Sequence, residues 1–300
     1  MRFTAEDAER KNKARRKRLP PWFNIRISTD NRFAAVNNLI RDNKLHTVCK
    51  SAACPNQNEC WNAGTATFMI LGNVCTRGCR FCNVPKGRPE GLDLEEPGRV
   101  AYAVASLKLK YAVVTSVTRD DLEDGGAGIF ADTIHAIREK SPGCRVEVLI
   151  PDFQGSDDSL RAVLDAKPDV LNHNIETVPS LYPLVRPQAD YQRSLELLMR
   201  AKSYGAVTKT GLMLGLGEGI DEVRTVMDEL RNIGCDILTI GQYLQPNKTA
   251  LPVVKYYHPD EFEILRKEAL VLGFRHVVSG PLVRSSYHAE NYPTFSAFVI

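Results

Sequence analysis

The sequence contains no apolar run near the roughly 18 residues a helix needs to span a bilayer. Its best apolar stretches, Ala66 to Leu71 and Tyr111 to Val117, are strand-sized. A membrane span is therefore not expected. The apolar segment of a secretory signal is also missing, and Glu6, Asp7 and Glu9 speak against a transit peptide, so a cytoplasmic location is expected. Nor is there a large charge excess: 39 Lys and Arg against 36 Asp and Glu leave +3, too little for the whole chain to bind polyanions. With 43% hydrophobic and 25% charged residues over 300 positions, disorder and fibrous architectures are excluded, and one large domain or two small ones are expected.

Positive charge is local. The run Arg10-Lys11-Asn12-Lys13-Ala14-Arg15-Arg16-Lys17-Arg18 ends at Leu19-Pro20-Pro21. No aromatic residue interleaves with it, so nucleic acid is not indicated. A solvated arm is the plain expectation, and docking of an acidic partner is the functional one. A helix is expected around Asn31 to Asp42, followed by a cysteine-bearing loop. Beyond residue 63 six short apolar runs recur: Ala66 to Leu71, Tyr111 to Val117, Arg145 to Ile150, Asp169 to Ile175, Val207 to Leu214 and Asp236 to Ile240. Amphipathic stretches separate them, at Gly98 to Lys108, Gly128 to Lys140, Ser156 to Ala166, Tyr191 to Tyr204 and Ile220 to Ile233. This alternation predicts parallel βα units and an α/β partial barrel of six strands, with the chemistry in loops at the strands' C-terminal ends.

Eight cysteines in a reducing compartment are not a disulfide framework, and six of them crowd between Cys49 and Cys82 while Cys144 and Cys235 stand alone as ordinary buried thiols. Directly after the first run comes Cys75-Thr76-Arg77-Gly78-Cys79-Arg80-Phe81-Cys82. Three thiolates at this spacing suit a cubane iron-sulfur cluster that leaves one iron open for a substrate or cofactor. Zinc is the plain alternative, though it would want a fourth ligand and commonly a second Cys-x2-Cys pair. Cys49, Cys54 and Cys60 form another triad without a fourth thiolate. Arg284-Ser285-Ser286-Tyr287-His288 reads by itself as a turn or cap.

The loop of Cys75, Cys79 and Cys82 after the first strand of a βα repeat resembles the radical S-adenosylmethionine (radical SAM) superfamily over about residues 63 to 275. The resemblance implies that these three cysteines hold a [4Fe-4S] cluster whose fourth iron binds S-adenosylmethionine, and that an electron from it generates a 5'-deoxyadenosyl radical. The paired triads, with Cys54-Pro55-Asn56, Glu59-Cys60-Trp61, Phe68-Met69-Ile70, Cys75-Thr76-Arg77 and Arg284-Ser285-Ser286-Tyr287, are similar to the lipoyl synthase family over nearly everything past residue 45. Lys50-Ser51 departs from the acidic residues often found there. That family implies an auxiliary [4Fe-4S] cluster on Cys49, Cys54, Cys60 and Ser286, whose sulfide is inserted at C6 and C8 of an octanoyl group on a lysine of a lipoyl carrier protein. The carrier would be a glycine cleavage H protein or a dehydrogenase E2 lipoyl domain. Further implied partners are a low-potential reductant such as flavodoxin or ferredoxin and an iron-sulfur carrier for cluster repair. An N-terminal extension (1–62), a core (63–275) and a C-terminal extension (276–300) are expected.

The remaining polar motifs fall after the other strands. Asp124, Gly125 and Gly126 expose backbone groups for the methionine end of the cofactor, although a plain loop explains two glycines nearly as well. Asn174 and Glu176 can hold ribose hydroxyls, or merely cap a strand end. Gly211-Leu212-Met213-Leu214-Gly215-Leu216-Gly217-Glu218 resembles a superfamily motif whose glycines approach the adenine; the Lys-Ser/Thr ending of a phosphate loop is absent. Phe81, Gly215, Glu218 and Gln242 complete the candidate cofactor contacts, and the stretch Tyr182 to Arg186 is a further candidate for contact with cofactor or substrate. His288 is at most a neighbour of the cluster site. The rivals are another sulfur-inserting radical enzyme, resembling biotin synthase or a methylthiotransferase, and a non-catalytic iron-sulfur electron carrier or zinc protein.

Overall fold

β-Branched and aromatic residues fill the apolar runs, and these become strands. The computed structural model describes residues 19–24, 32–62 and 66–289. Strand β1 is His46–Thr47, β2 Thr67–Ile70, β3 Tyr111–Ser116, β4 Arg145–Leu149, β5 Val170–Asn172, β6 Thr208–Leu214, β7 Ile237–Gln242 and β8 His276–Gly280. All eight join one sheet in sequence order. β1 is antiparallel to β2, and β2 to β8 are parallel throughout. Among the described residues no hydrogen-bonded pairing joins β8 back to β1, so the sheet curls into a partial barrel with an open seam.

The six expected strands are present, and two more extend the sheet. β1 has only two residues. β8 carries two adjacent valines between His276 and Ser279-Gly280, so neither strand shows an apolar run in the sequence. Their physical support is tertiary: Ile237 to Gly241 of β7 supply a partner for every residue of β8.

Helices Glu96–Ser106, Ala127–Lys140, Asp157–Asp165, Tyr191–Ser203, Ile220–Asn232 and Pro259–Leu272 follow β2 to β7 in turn. Their starts are capped locally: Ser156 Oγ accepts from Ser159 N at 3.2 Å, and Asp190 Oδ1 accepts from Arg193 N at 2.7 Å. Phe130, Ile134, Val163, Leu198, Val226 and Phe262 close the layer between helices and sheet. Helix Arg32–Asp42 lies outside this ring and joins the same core through buried Val36 and Ile40, with Phe33 against the Trp61 ring at 5.0 Å.

Side chains from non-adjacent strands can meet only inside the barrel. Tyr111 of β3, Val170 of β5, Ile237 of β7 and Val278 of β8 do so, and Ala289 from the C-terminal segment packs among them. A plug of apolar side chains therefore fills the lumen near the strand starts, and the C-terminal segment is part of it. The basic run from Arg10 to Arg18 lies outside the described residues.

Candidate active site

At the end of β2 the chain turns through Leu71 and Gly72, both with positive φ, into the first cysteine loop. Backbone bonds close that loop: Cys75 N donates to Pro85 O at 2.8 Å and Gly87 N to Cys75 O at 3.0 Å. Cys75 Sγ accepts from Thr118 N at 3.3 Å and Arg77 N at 3.5 Å, and Cys82 Sγ accepts from Val84 N at 3.5 Å. Donors of this kind orient sulfur ligands and spread the negative charge of a cluster. Burial pushes the Cys82 thiol up to about 11, and raises Cys79 against the opposing positive charge of Arg186. Bound iron would have to displace these protons to bind thiolate.

Arg77 braces the loop from below. Its guanidinium donates to Asp120 at 2.6 and 2.8 Å and to Asp152 at 2.5 Å, linking the loops after β2, β3 and β4. Burial raises the Asp152 carboxyl, but the hydrogen bond and charge of Arg77 outweigh it and hold the group down at about 2.

The strand-end residues divide into two groups. Asn174 and Glu176, just past β5, touch each other, with Asn174 Nδ2 donating to Glu176 Oε1 at 3.1 Å. Arg186 lies beside them, donating to the carbonyls of Asn174 and Ile175 at 3.0 and 3.1 Å, and its charge reaches Cys79. Arg186 Nε is buried without a hydrogen-bond partner, an orphan donor that a bound polar group would satisfy. Phe81 packs with Leu216 and Tyr243, which bring the ends of β6 and β7 against the cysteine loop.

The second group serves its own loops. Asp124 accepts from Gly126 N and Gly128 N, both at 2.8 Å. Gly125 and Gly126 have positive φ, and a Cβ on Gly126 would lie 2.3 Å from Leu71 Cδ1. Glu218 accepts from the backbone N–H groups of Gly215, Leu216 and Gly217. Gln242 donates to the carbonyls of Leu214, Tyr243 and Lys255 and accepts from Tyr257 N. Gly215 is needed where a Cβ would meet Gln242 Nε2 at 2.0 Å. These side chains shape the rim, and what they leave for a ligand is backbone.

The second triad is assembled by distant segments. Thr47 caps the short helix Val48–Ser51 that carries buried Cys49, and helix Gln57–Asn62 carries Cys60. Asn56 Nδ2 donates to Leu282 O at 2.7 Å, Tyr287 OH to Glu59 Oε1 at 3.1 Å, and Thr67 Oγ1 to Ser286 Oγ at 2.8 Å. His288 Nε2 stands 3.2 Å from Glu59 Oε1. Cys49, Cys54, Cys60, Arg284 and Ser286 thereby line one cavity of about 50 Å³, together with the starts of β2 and β3. Arg284 is held there at the expense of hydration: burial lowers its pKa, and Cys54 pulls the other way.

Among the described residues no three His, Cys, Asp or Glu side chains are placed to hold a single metal ion. One tetrahedral ion would draw sulfurs to about 3.8 Å of one another, from metal–sulfur bonds of about 2.3 Å. A cubane puts each ligand on a separate iron and so suits thiols that share a space instead of a point. Three thiols plus a hydroxyl around one cavity match that donor set. Cys144 and Cys235 are buried elsewhere, hydrogen-bonded to backbone carbonyls. Thr67 and the bracing Asp152 carry no motif in the sequence; only the strand positions of Thr67 and the end of β4 identify them.

Fold and cysteine loop together define a radical SAM protein. The Radical SAM superfamily matches residues 69–230, and the N-terminal domain of lipoyl synthase matches residues 3–54. The chain is 59% identical to a lipoyl synthase of Koribacter versatilis (strain Ellin345), over 90% of each chain, and 55% identical to one of Roseiflexus sp. (strain RS-1), over 95% of each. It belongs to the lipoyl synthase family. In fold it is similar to methylornithine synthase, with TM-score 0.54 and 14% identity over 91% of this chain and 90% of that one. It is similar also to Streptococcus suis SuiB bound to S-adenosylmethionine, with TM-score 0.58 and 10% identity over 81% of this chain and 58% of that one. Among the described residues no helix is long and apolar enough to cross a membrane.

Proposed function

We propose that the chain is a radical SAM sulfurtransferase that inserts two sulfur atoms, at C6 and C8, into an octanoyl group attached to a lysine of a lipoyl carrier protein. The observation that carries this reading is the single cavity shared by Cys49, Cys54, Cys60 and Ser286, in a chain with a separate triad, Cys75, Cys79 and Cys82, at the strand ends. When bound, two [4Fe-4S] clusters and S-adenosylmethionine supply the reducing electron, the hydrogen-abstracting radical and the inserted sulfur. Cys75, Cys79 and Cys82 would hold one cluster, and Cys49, Cys54, Cys60 and Ser286 the other.

The protein's own part is binding, orientation and exclusion of water. Glu176 and Asn174 offer a carboxylate and an amide to ribose hydroxyls, beside the orphan donor of Arg186. Gly125 and Gly126 offer backbone to the methionine end, held in place by Asp124, while Phe81, Gly215, Glu218 and Gln242 form the opposite rim. The buried guanidinium of Arg284 favours the negative charge of a thiolate-bound cluster. The apolar plug around Ala289 closes the lumen behind the reacting chain. Ser286 is a hard oxygen ligand, more readily protonated and released than thiolate, which suits a cluster that gives up its sulfur. A reducing cytoplasm, where the eight cysteines stay free, and a low-potential donor such as flavodoxin or ferredoxin complete the setting. Resupply of the auxiliary cluster would come from an iron-sulfur carrier.

The test is an anaerobic single turnover of reconstituted protein with reductant, S-adenosylmethionine and an octanoyl-lysine peptide, followed by mass spectrometry and iron and sulfide counts. A product with two added sulfurs, loss of auxiliary sulfide and about two deoxyadenosines per product is expected. Cofactor cleavage with no sulfur in the peptide would refute the substrate, and no cleavage despite about eight irons would leave an electron carrier.

A further inference from the structure

The two serines of Arg284-Ser285-Ser286-Tyr287 face different sites. Ser286 lines the auxiliary cavity, whereas the hydroxyl of Ser285 reaches the end of β5. It accepts from Asn172 Nδ2 at 2.7 Å and donates its one hydrogen to Asn174 Oδ1 at 3.2 Å. Asn174 uses the other end of the same amide to donate to Glu176 Oε1 at 3.1 Å. Asn172 is anchored in turn by Glu147 Oε1 at 3.0 Å, which Lys209 Nζ also holds at 2.7 Å. Room for this arrangement is built in: a Cβ on Gly211 would stand 2.9 Å from Asn174 Oδ1. An unbroken path of one rigid amide and one peptide unit therefore runs from Glu176 through Asn174 and Ser285 to Ser286.

We propose that Ser285 is a positioning residue that couples occupancy of the S-adenosylmethionine pocket to the hold of Ser286 on the auxiliary cluster. This rests on the proposed roles of Glu176, Asn174 and Ser286. A ligand that engages Glu176 or Asn174 fixes the amide, and the fixed amide fixes the Ser285 hydroxyl, so the next residue loses freedom to leave its iron. Sulfur release would then be graded by whether the radical source is in place.

The experiment uses fully loaded, anaerobic enzyme without reductant or octanoyl substrate. Iron loss to a ferrous chelator is timed with and without S-adenosylmethionine for the wild type, Ser285→Ala and Ser285→Thr, and cofactor affinity is measured by equilibrium dialysis. In the wild type the cofactor is expected to slow loss of the auxiliary irons about fivefold or more. Ser285→Ala should load about eight irons and still bind cofactor, yet lose that dependence. Ser285→Thr, which keeps the hydroxyl, should recover it. Equal cofactor dependence in the wild type and Ser285→Ala, or none in the wild type, overturns the coupling while leaving the proposed function intact. Hydrogen exchange of the wild-type segment 281–289 gives a reading that needs no variant: slower exchange with cofactor is expected, and unchanged exchange overturns the coupling. A wild type that binds no cofactor or loads only about four irons overturns the proposed function and the coupling together.

Discussion

Thr67, the first residue of β2, donates its hydroxyl hydrogen to Ser286 Oγ at 2.8 Å, across 219 positions of sequence. A serine oxygen on iron is an alkoxide, and a donor 2.8 Å away shares its charge. Thr67→Val keeps the shape of the strand residue and removes the donor. A hydrogen bond to a charged group is worth about 1.5–3 kcal/mol, so auxiliary iron should be lost to a chelator roughly tenfold faster, with Thr67→Ser near wild type. Equal loss rates for Val and Ser variants would show that the contact does nothing for the ligand.

Gly241 of β7 is where the C-terminal segment enters the lumen. A Cβ there would lie 2.1 Å from Val283 O, a backbone atom that cannot turn aside. Gly241→Ala is expected to displace the segment that carries Ser286 while sparing the strand-end loop. Anaerobic reconstitution should then yield about four irons in place of about eight, with cofactor binding retained. A full iron count in this variant would mean that the segment can be seated another way.

Glu147 and Lys209 form an ion pair of 2.7 Å with both side chains fully buried. Burial lowers the Lys209 pKa and Glu147 opposes that shift. Lys209→Met leaves a buried carboxylate without its cation and should cost about 3–5 kcal/mol in urea unfolding. Glu147→Leu with Lys209→Met should recover part of that loss, and not all, because Tyr111 and Asn172 also donate to Glu147. A double variant as unstable as the two singles summed would argue against coupling within the pair.

His173 sets a pH window. Burial first, and the charge of Arg186 second, pull its pKa from 6.5 to about 4. The unfolded chain therefore takes up the proton before the folded one does. Stability from the neutral ring is complete above about pH 6.5 and is lost as pH falls toward 4, in all roughly 3 kcal/mol. The stability gap between wild type and His173→Gln, read from urea midpoints on loaded protein, should shrink by that amount from pH 7 to pH 4. A constant gap would place the titration elsewhere.

Much of the molecule was legible in the chain. Six of the seven parallel strands and the helices between them announce themselves by apolar periodicity, since each must bury a face whatever its partner is. β8 did not, because two valines between a histidine and a serine make no pattern until β7 supplies a ladder. Of the candidate cofactor residues, Asn174 and Glu176 hydrogen-bond to each other, while the side chains of Asp124, Glu218 and Gln242 hold their own loops. A carboxylate after a strand looks alike in sequence whether it serves a ligand or a turn.

The sequence by itself determined the two cysteine triads and the order of the strand–helix units, because cysteine spacing and strand–helix alternation are local properties of the chain. Read without a relative, Arg284-Ser285-Ser286 is only a turn; the resemblance singles out Ser286, and the tertiary structure supplies the physical difference between the two serines. Ser285 and Ser286 are identical side chains one residue apart, and β5 on one side and β2 on the other distinguish them. The same holds for Thr67 and Arg284, whose roles come from groups that sequence leaves far apart and that the closing of the barrel around its own C-terminal segment brings within bonding distance of one cavity.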